Sequence, residues 1–113
     1  MKKIDIEKII KNGGATLNAN GQEIHFNSGY QVSFCDCYTL DAGHTSKILR
    51  AVNGLLAAVK PSEFVGLWVD GGKIYIDLSE RIEQLSAAIV AGMERKQKSI
   101  FDWCLSRCIS LED

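Results

Sequence analysis

The most informative pattern of hydrophobic and polar positions lies between residues 63 and 79. Residues 64–69 are apolar at both alternating sets of positions, so we expect both faces of a strand there to be covered, with Trp68 near a sheet–helix boundary. Asp70-Gly71-Gly72 supplies residues that tolerate the positive φ angles of a tight turn. Apolar and polar positions then alternate over residues 73–78, which predicts a returning strand with one core face and one wetter face.

The first thirty-five residues predict a short helix followed by three strands. Asp5 can cap a helix whose isoleucines recur at helical spacing and which ends at Gly13-Gly14. We expect strands over residues 15–19 and 22–26, because Asn20-Gly21 between them is a strong hairpin signal. A third strand is expected over residues 30–35, where apolar and polar residues again alternate.

Two segments have helical periodicity. The first begins at about Ser46 and stops before Pro61. The second covers residues 80–109 and is capped by Ser79 or Asp77. Because no proline interrupts it, the pattern fits one long helix and a helix with a break near residues 96–98 equally well. The order of elements predicts an α+β fold, a two-layer sandwich in which helices cover one face of a mainly antiparallel sheet of about five strands.

Composition narrows the function classes. The chain has 113 residues, 46% of them hydrophobic and 24% charged, which indicates one globular domain over residues 1–113. The formal net charge of −1 gives no excess of basic residues for generic binding to nucleic acid or to an anionic membrane. No apolar run suits a signal peptide or a membrane span, so we expect a cytoplasmic protein with reduced cysteines.

Four cysteines raise the question of a metal site. Cys35 and Cys37 share one face of a predicted strand, and Cys104 and Cys108 share one face of the predicted last helix. Four thiols, with His44 as a substitute ligand, could hold zinc. The usual C-x2-C spacing is absent, however, and Cys104 and Cys108 fall on the core stripe. The sequence therefore favours thiols that are buried or have no chemical role, and it predicts neither a bound metal nor a cofactor.

Catalytic motifs are not evident. His25 points off the core face of its strand, and His44 lies beside Asp41 in a polar loop, where an exposed histidine in a turn explains it. The acidic residues around the hairpin suit turn, cap and first-turn positions; they are Asp70, Asp77, Glu80 and Glu83. We therefore expect no enzyme, although this acidic patch could attract a basic partner surface.

Aromatic and basic residues indicate two candidate binding surfaces. Tyr75 and Lys73 project from the wetter side of their strand, with Gln31, Ser33 and His25 nearby, so an open sheet face with an aromatic centre is a candidate docking platform. The residues predicted to bind a partner protein are Tyr75, Lys73, Asp70 and Trp68. The alternative is a small-ligand site that uses Arg50 and Arg107.

Four segments carry a resemblance to known proteins: SGYQVS at 28–33, VGLWVDGGKIYIDLS at 65–79, AAIVAG at 87–92 and QKSIFDW at 97–103. Together they resemble small accessory proteins of phages and integrative elements of Firmicutes, some of which are anti-defence proteins of the anti-CRISPR type. The resemblance implies a non-enzymatic protein of the bacterial host cytoplasm that binds and inhibits a host defence component, such as a Cas nuclease. The alternative is an oligomeric sponge that sequesters a nucleotide signal.

Overall fold

The computed structural model describes residues 4–112 as an α+β fold with three helices and one six-stranded antiparallel sheet. The class is as predicted, with one strand more than expected. The elements in chain order are α1 (Ile6–Lys11), β1 (Gly14–Leu17), β2 (Tyr30–Asp41), α2 (Thr45–Ala58), β3 (Glu63–Asp70), β4 (Lys73–Ile82), α3 (Leu85–Glu94), β5 (Ser99–Asp102) and β6 (Arg107–Ser110). The strand order is β1-β3-β4-β2-β5-β6.

The central hairpin of β3 and β4 confirms the strongest prediction. Asp70 pairs with Lys73, which leaves Gly71 and Gly72 as the turn, at φ angles of 58° and 77°. Two successive positive φ angles match the right-handed twist of the flanking strands. The strand β4 extends to Ile82, so the prediction that Asp77 or Ser79 caps a helix is wrong: both residues lie in the sheet.

The strand β2 is longer than predicted and irregular. Its 12 residues run beside the 10 residues of β4, and the register shifts between Ser33 and Cys35 and again between Asp36 and Tyr38. Each shift is a β-bulge, in which one extra residue on β2 has no direct partner.

The N-terminal predictions hold in part. Asp5 caps α1 by accepting a hydrogen bond from the Lys8 amide at 3.1 Å. The turn at Asn20-Gly21 also forms, with the Asn18 side chain accepting from the Asn20 and Gln22 amides. Residues 22–26 are not a strand, because pairing stops after one bridge between Leu17 and Glu23 and the chain leaves the sheet.

Of the two alternatives for residues 80–109, the break near residues 96–98 is correct and one long helix is wrong. The helix α3 ends at Glu94, and Lys96 adopts the left-handed region at φ 58°. The apolar residues beyond it belong to the short hairpin of β5 and β6. Their spacing suits a helical stripe, but Ile100 and Phe101 point to opposite sides of a strand.

All three helices pack on one face of the sheet. The first core cluster joins α1 and α2 to this face through residues that include Ile48, Val52, Val65, Leu67, Ile74 and Ile76. The second cluster joins α3 to it through Val32, Ala88 and Ile100. The strand register puts both clusters on the same side. No helix within residues 4–112 is long and apolar enough to cross a membrane.

Candidate functional site: the helix-free face of the sheet

The sheet face opposite the helices divides into two halves of different character. The covered half is formed by Phe26, Gln31, Phe64, Ser79, Phe101 and Trp103. The open half is formed by Ser33, Asp36, Thr39, Asp41, Gly66, Trp68, Asp70, Lys73, Tyr75 and Asp77. Both halves use side chains from β2, β3 and β4, so the difference lies in what covers them.

In the covered half, the loop between β1 and β2 folds back over the sheet. Phe26 of this loop makes edge-to-face contacts with Phe64 and Trp103, each at a ring-centroid distance of 5.6 Å. The Arg81 guanidinium lies 4.8 Å from the centre of the Phe26 ring and donates to the Ser28 carbonyl at 3.0 Å. These contacts hold the loop down and leave Trp103 only 8% exposed.

The polar atoms beneath this loop form a continuous chain of hydrogen bonds. The Trp103 indole N–H donates to Oε1 of Gln31 at 2.9 Å, and Nε2 of Gln31 donates to Oγ of Ser79 at 2.9 Å. Ser79 is 2% exposed, so the hydrogen bond from Gln31 replaces the hydrogen bond to water that the Ser79 hydroxyl has lost on burial. The covered half is therefore a third, mixed aromatic and polar core.

In the open half, Trp68 and Tyr75 lie directly opposite each other on β3 and β4. Trp68 is 57% exposed and Tyr75 is 41% exposed. The prediction that Trp68 is covered near a sheet–helix boundary is wrong, because the loop that covers Phe64 on the same strand does not reach it. Tyr75 shares this face with Ser33 and Gln31, but the prediction that they lie nearby is wrong: Tyr75 is paired with Thr39, and Ser33 and Gln31 lie further along the strand pair. His25, predicted to lie nearby as well, is not in a strand.

Asp77 lies beside this aromatic pair and is the group with unusual acid–base properties. Burial raises the pKa of its carboxyl to about 6, although the Ser33 hydroxyl donates to Oδ2 at 2.8 Å and opposes the shift. Asp36 faces Asp77 across the strand pair, and its negative charge raises the pKa further. A side chain at Gly66 would collide with the Asp77 carboxylate, so this glycine makes room for it.

The remaining charges of the open half are mostly negative. Lys73 is the one cation among its ten residues and is paired in register with both Asp41 and Asp70. With Asp36 and Asp77, four carboxyl groups share this half with one ammonium group. The surface is therefore an exposed aromatic pair with an acidic border.

The other predicted sites do not come together. Arg50 lies on α2 and Arg107 on β6, and both are exposed. A shallow cavity between α1 and α2 includes neither arginine, and its charged lining residues are Asp5 and Glu7. His44 stands exposed before α2, where its amide donates to the Asp41 carbonyl, and His25 is an exposed residue at the rim of the covered half.

The four cysteines form one close pair, not a four-thiol site. Sγ of Cys35 and Sγ of Cys37 are 3.4 Å apart on β2. Cys104 and Cys108 are exposed on the β5–β6 hairpin, so the prediction of two core positions on a helix is wrong. Among residues 4–112, no three His, Cys, Asp or Glu side chains are grouped as metal ligands would be.

A second exposed apolar surface lies on the outer side of α3. It consists of Leu85, Val90 and Met93, of which Met93 is 61% exposed. The helix is apolar nearly all round, and its inner side already packs on the sheet through Ala88. This surface provides a matched comparison for the open half.

The chain matches no family model, no curated protein and no solved structure in comparisons with each. The fold and the side-chain chemistry described above are therefore the basis for a functional proposal.

Sequence reasoning did not predict that Asp77 lies in the sheet with a pKa raised by burial, although it did identify Tyr75 and Lys73 on the same strand as candidate binding residues. The available signal was Gly66, a single glycine inside an otherwise apolar strand, which indicates close approach of another group. Pairing β3 with β4 through the two-residue turn would have placed Gly66 opposite Asp77.

Proposed function

We propose that this protein acts as a stoichiometric protein-binding module and that the open half of the helix-free face is its binding surface. The exposed Trp68–Tyr75 pair is the observation that carries the proposal. Tryptophan and tyrosine contribute large contact areas at protein interfaces and are enriched among the residues that dominate binding energy. The pair stands on a paired sheet, so little conformational entropy is lost when a partner covers it.

The charges around the pair specify the chemistry of the partner. Four carboxyl groups and one ammonium group border the aromatic residues, so a basic protein surface is complementary to this half. Nucleic acid would be repelled by the same groups, which favours a protein as the occupant. Lys73 and Asp70 lie at the rim of this surface, where charged residues affect association rate and specificity more than affinity.

The resemblance to accessory proteins of phages and integrative elements adds a class of partner. On this proposal, the protein binds and inhibits a host defence component, with a Cas nuclease as the first candidate. Nucleases of this kind bind guide RNA and target DNA in a positively charged channel. Such a channel, or its rim, presents the basic surface that the open half would complement.

Immobilised protein incubated with extract of a bacterial host tests the proposal directly. The wild type is compared with the Trp68→Ala/Tyr75→Ala variant and with Val90→Ala/Met93→Ala, which removes exposed apolar area from α3 instead. We expect a partner to bind the wild type and the α3 variant at a fixed ratio by native mass measurement, and not to bind the Trp68/Tyr75 variant. Loss of binding only in the α3 variant would move the surface to the helical layer.

A titration of Cas nuclease activity separates binding from turnover. Stoichiometric inhibition would saturate when the protein equals the nuclease in concentration. Inhibition at far substoichiometric amounts would contradict a binding module and indicate an enzyme.

The nucleotide sponge remains the weaker proposal. It requires arginine and aromatic side chains around one concave site, and the cavity between α1 and α2 contains neither type. Native mass measurement of protein purified from its host, with bound nucleotide as the readout, distinguishes the two proposals.

A further inference from the structure

Cys35 and Cys37 are placed for chemistry that the binding proposal does not use. In a regular strand, residues two apart have Cα atoms about 6.6–6.8 Å from each other, which is near the upper limit for a disulfide. Here the second bulge of β2 falls between Asp36 and Tyr38, at Cys37 itself. The two Sγ atoms consequently lie 3.4 Å apart, in direct contact.

The two thiols differ in exposure. Cys35 is exposed, whereas Cys37 is half-buried against β4. Burial and the hydrogen bond to Cys35 raise the pKa of the Cys37 thiol to about 11, and the charges of Cys35 and Asp77 add to the shift. Two of these causes come from Cys35, and both weaken once the sulfur of Cys35 is bonded to another group.

We propose that Cys35 and Cys37 form a thiol–disulfide exchange site whose substrate is a low-molecular-weight disulfide. The contact between the Sγ atoms and the difference in exposure carry this inference, which is independent of the proposed binding function. Cys35 is the attacking thiol, because a disulfide in solution can reach it. Cys37 is the resolving thiol, because its sulfur already touches that of Cys35.

The exchange takes place in two balanced steps. Cys35 first loses its proton to water. Its thiolate attacks one sulfur of the substrate R–S–S–R, so that the S–S bond breaks, a Cys35–S–S–R mixed disulfide forms and one thiolate R–S⁻ leaves. Cys37 then loses its proton to water, and its thiolate attacks Sγ of Cys35. The mixed disulfide breaks, the Cys35–Cys37 disulfide forms and the second R–S⁻ leaves. The protein dithiol is oxidised by two electrons, and the two R–S⁻ ions take up the two released protons to give two thiols.

Cys104 and Cys108 serve as internal controls. Both are exposed, so the same reagent reaches them, but the sulfur–sulfur contact found in β2 joins only Cys35 and Cys37 among residues 4–112. Trypsin would separate the sites cleanly: residues 12–47 contain both Cys35 and Cys37, residues 99–107 contain Cys104, and residues 108–113 contain Cys108.

Folded protein treated with oxidised glutathione and digested after acid quenching tests the proposal by mass spectrometry. We expect the 12–47 peptide to lose the mass of two hydrogen atoms and to retain no glutathione, while Cys104 and Cys108 acquire at most mixed disulfides. Dithiothreitol should restore the original mass.

The variants assign the two roles. Cys37→Ser should stop at the first step and keep glutathione on Cys35, whereas Cys35→Ser should form neither the disulfide nor a rapid adduct. Circular dichroism of each variant confirms that it is folded. If the wild-type 12–47 peptide stays reduced while Cys104 or Cys108 is modified, or if the reagent links separate chains through Cys35, the proposal is wrong.

Discussion

The covered and open halves of the helix-free face use the same three central strands and carry one tryptophan each. Trp103 is 8% exposed and its indole N–H is bonded to Gln31, whereas Trp68 is 57% exposed. The covered half owes its burial to a loop that places Phe26 over Phe64 and Trp103. Nothing within residues 4–112 covers the open half in the same way.

This difference separates two roles that aromatic residues play in a sheet. Where a loop covers them, they build a core and stabilise the fold. Where no loop covers them, they contribute little to stability, so the protein gains little by keeping two large aromatic side chains there unless they contact something else. The comparison therefore assigns stability to the covered half and supports the proposal that the open half binds a partner.

The largest expected effect on stability is that of Trp103→Ala. Removing this side chain leaves a cavity beneath Phe26 and leaves Gln31 without its donor, so we expect the free energy of unfolding to fall by about 3–5 kcal/mol. Chemical denaturation at pH 7 measures this. A loss below about 1 kcal/mol would show that the loop does not bury Trp103.

Asp77→Asn should have the next largest effect, and it should stabilise the protein at neutral pH. The pKa of Asp77 is raised from 3.8 to about 6, so the folded chain binds more protons than the unfolded chain between these values. Its contribution to the free energy of unfolding therefore falls as pH rises from about 4 to 6 and is constant above that range. The asparagine variant removes a cost on the order of 2–3 kcal/mol.

The difference between wild-type and Asp77→Asn stability, measured by denaturation from pH 3.5 to 7.5, isolates this group. Asp36→Asn is the matched variant. Removing the charge that faces Asp77 should lower the pKa of Asp77, so the fall in stability with rising pH should occur at lower pH but should not disappear. A difference that does not change with pH would contradict the burial of Asp77.

Gly66→Ala should destabilise the protein by roughly 1–3 kcal/mol, because the new methyl group occupies the position of the Asp77 carboxylate. Gly54→Ala is the control: Gly54 is exposed on α2 with open space around it, so alanine there should stabilise the helix by about 0.5–1 kcal/mol. Equal effects of the two substitutions in thermal or chemical denaturation would contradict the close approach at Gly66.

The smallest expected effect on stability belongs to the open half itself. Trp68→Ala should lower the free energy of unfolding by less than about 1 kcal/mol, because Trp68 is more than half exposed and its substitution removes a cross-strand pair with Tyr75 and not a core side chain. The same substitution should weaken partner binding by more than about 2 kcal/mol. Lys73→Ala, at the rim, should change affinity little. A Trp68→Ala variant with a large loss of stability and unchanged binding would reverse the assignment.

The sequence predicted the elements whose signals are local. The turn at Gly71-Gly72, the cap at Asp5 and the helix that ends before Pro61 each depend on a few adjacent residues. Prediction from sequence failed where contacts between residues far apart in the chain determine the secondary structure. The apolar spacing of Ile100, Phe101 and Ile109 suits a helix as well as two short strands, and pairing of β5 with β2 selects the strands.

The same dependence on distant contacts determines which features of the candidate site could be predicted from the sequence. Alternation along β4 predicted that Tyr75 and Lys73 share a wetter face, as they do. Whether Trp68 is covered depends on the path of a loop some forty positions earlier in the chain, which no local pattern encodes. The burial of Asp77 depends likewise on its register with Gly66 and Ser33.

Quenching of single-tryptophan variants by acrylamide, an uncharged quencher that the acidic border does not repel, is the most direct test of the difference between the two halves. The chain has two tryptophans, so Trp103→Phe leaves only Trp68 and Trp68→Phe leaves only Trp103. We expect the fluorescence of Trp68 to be red-shifted and strongly quenched by acrylamide, and that of Trp103 to be blue-shifted and weakly quenched. Equal quenching of the two indoles, or stronger quenching of Trp103, would contradict the division of this face into a buried core and an exposed surface.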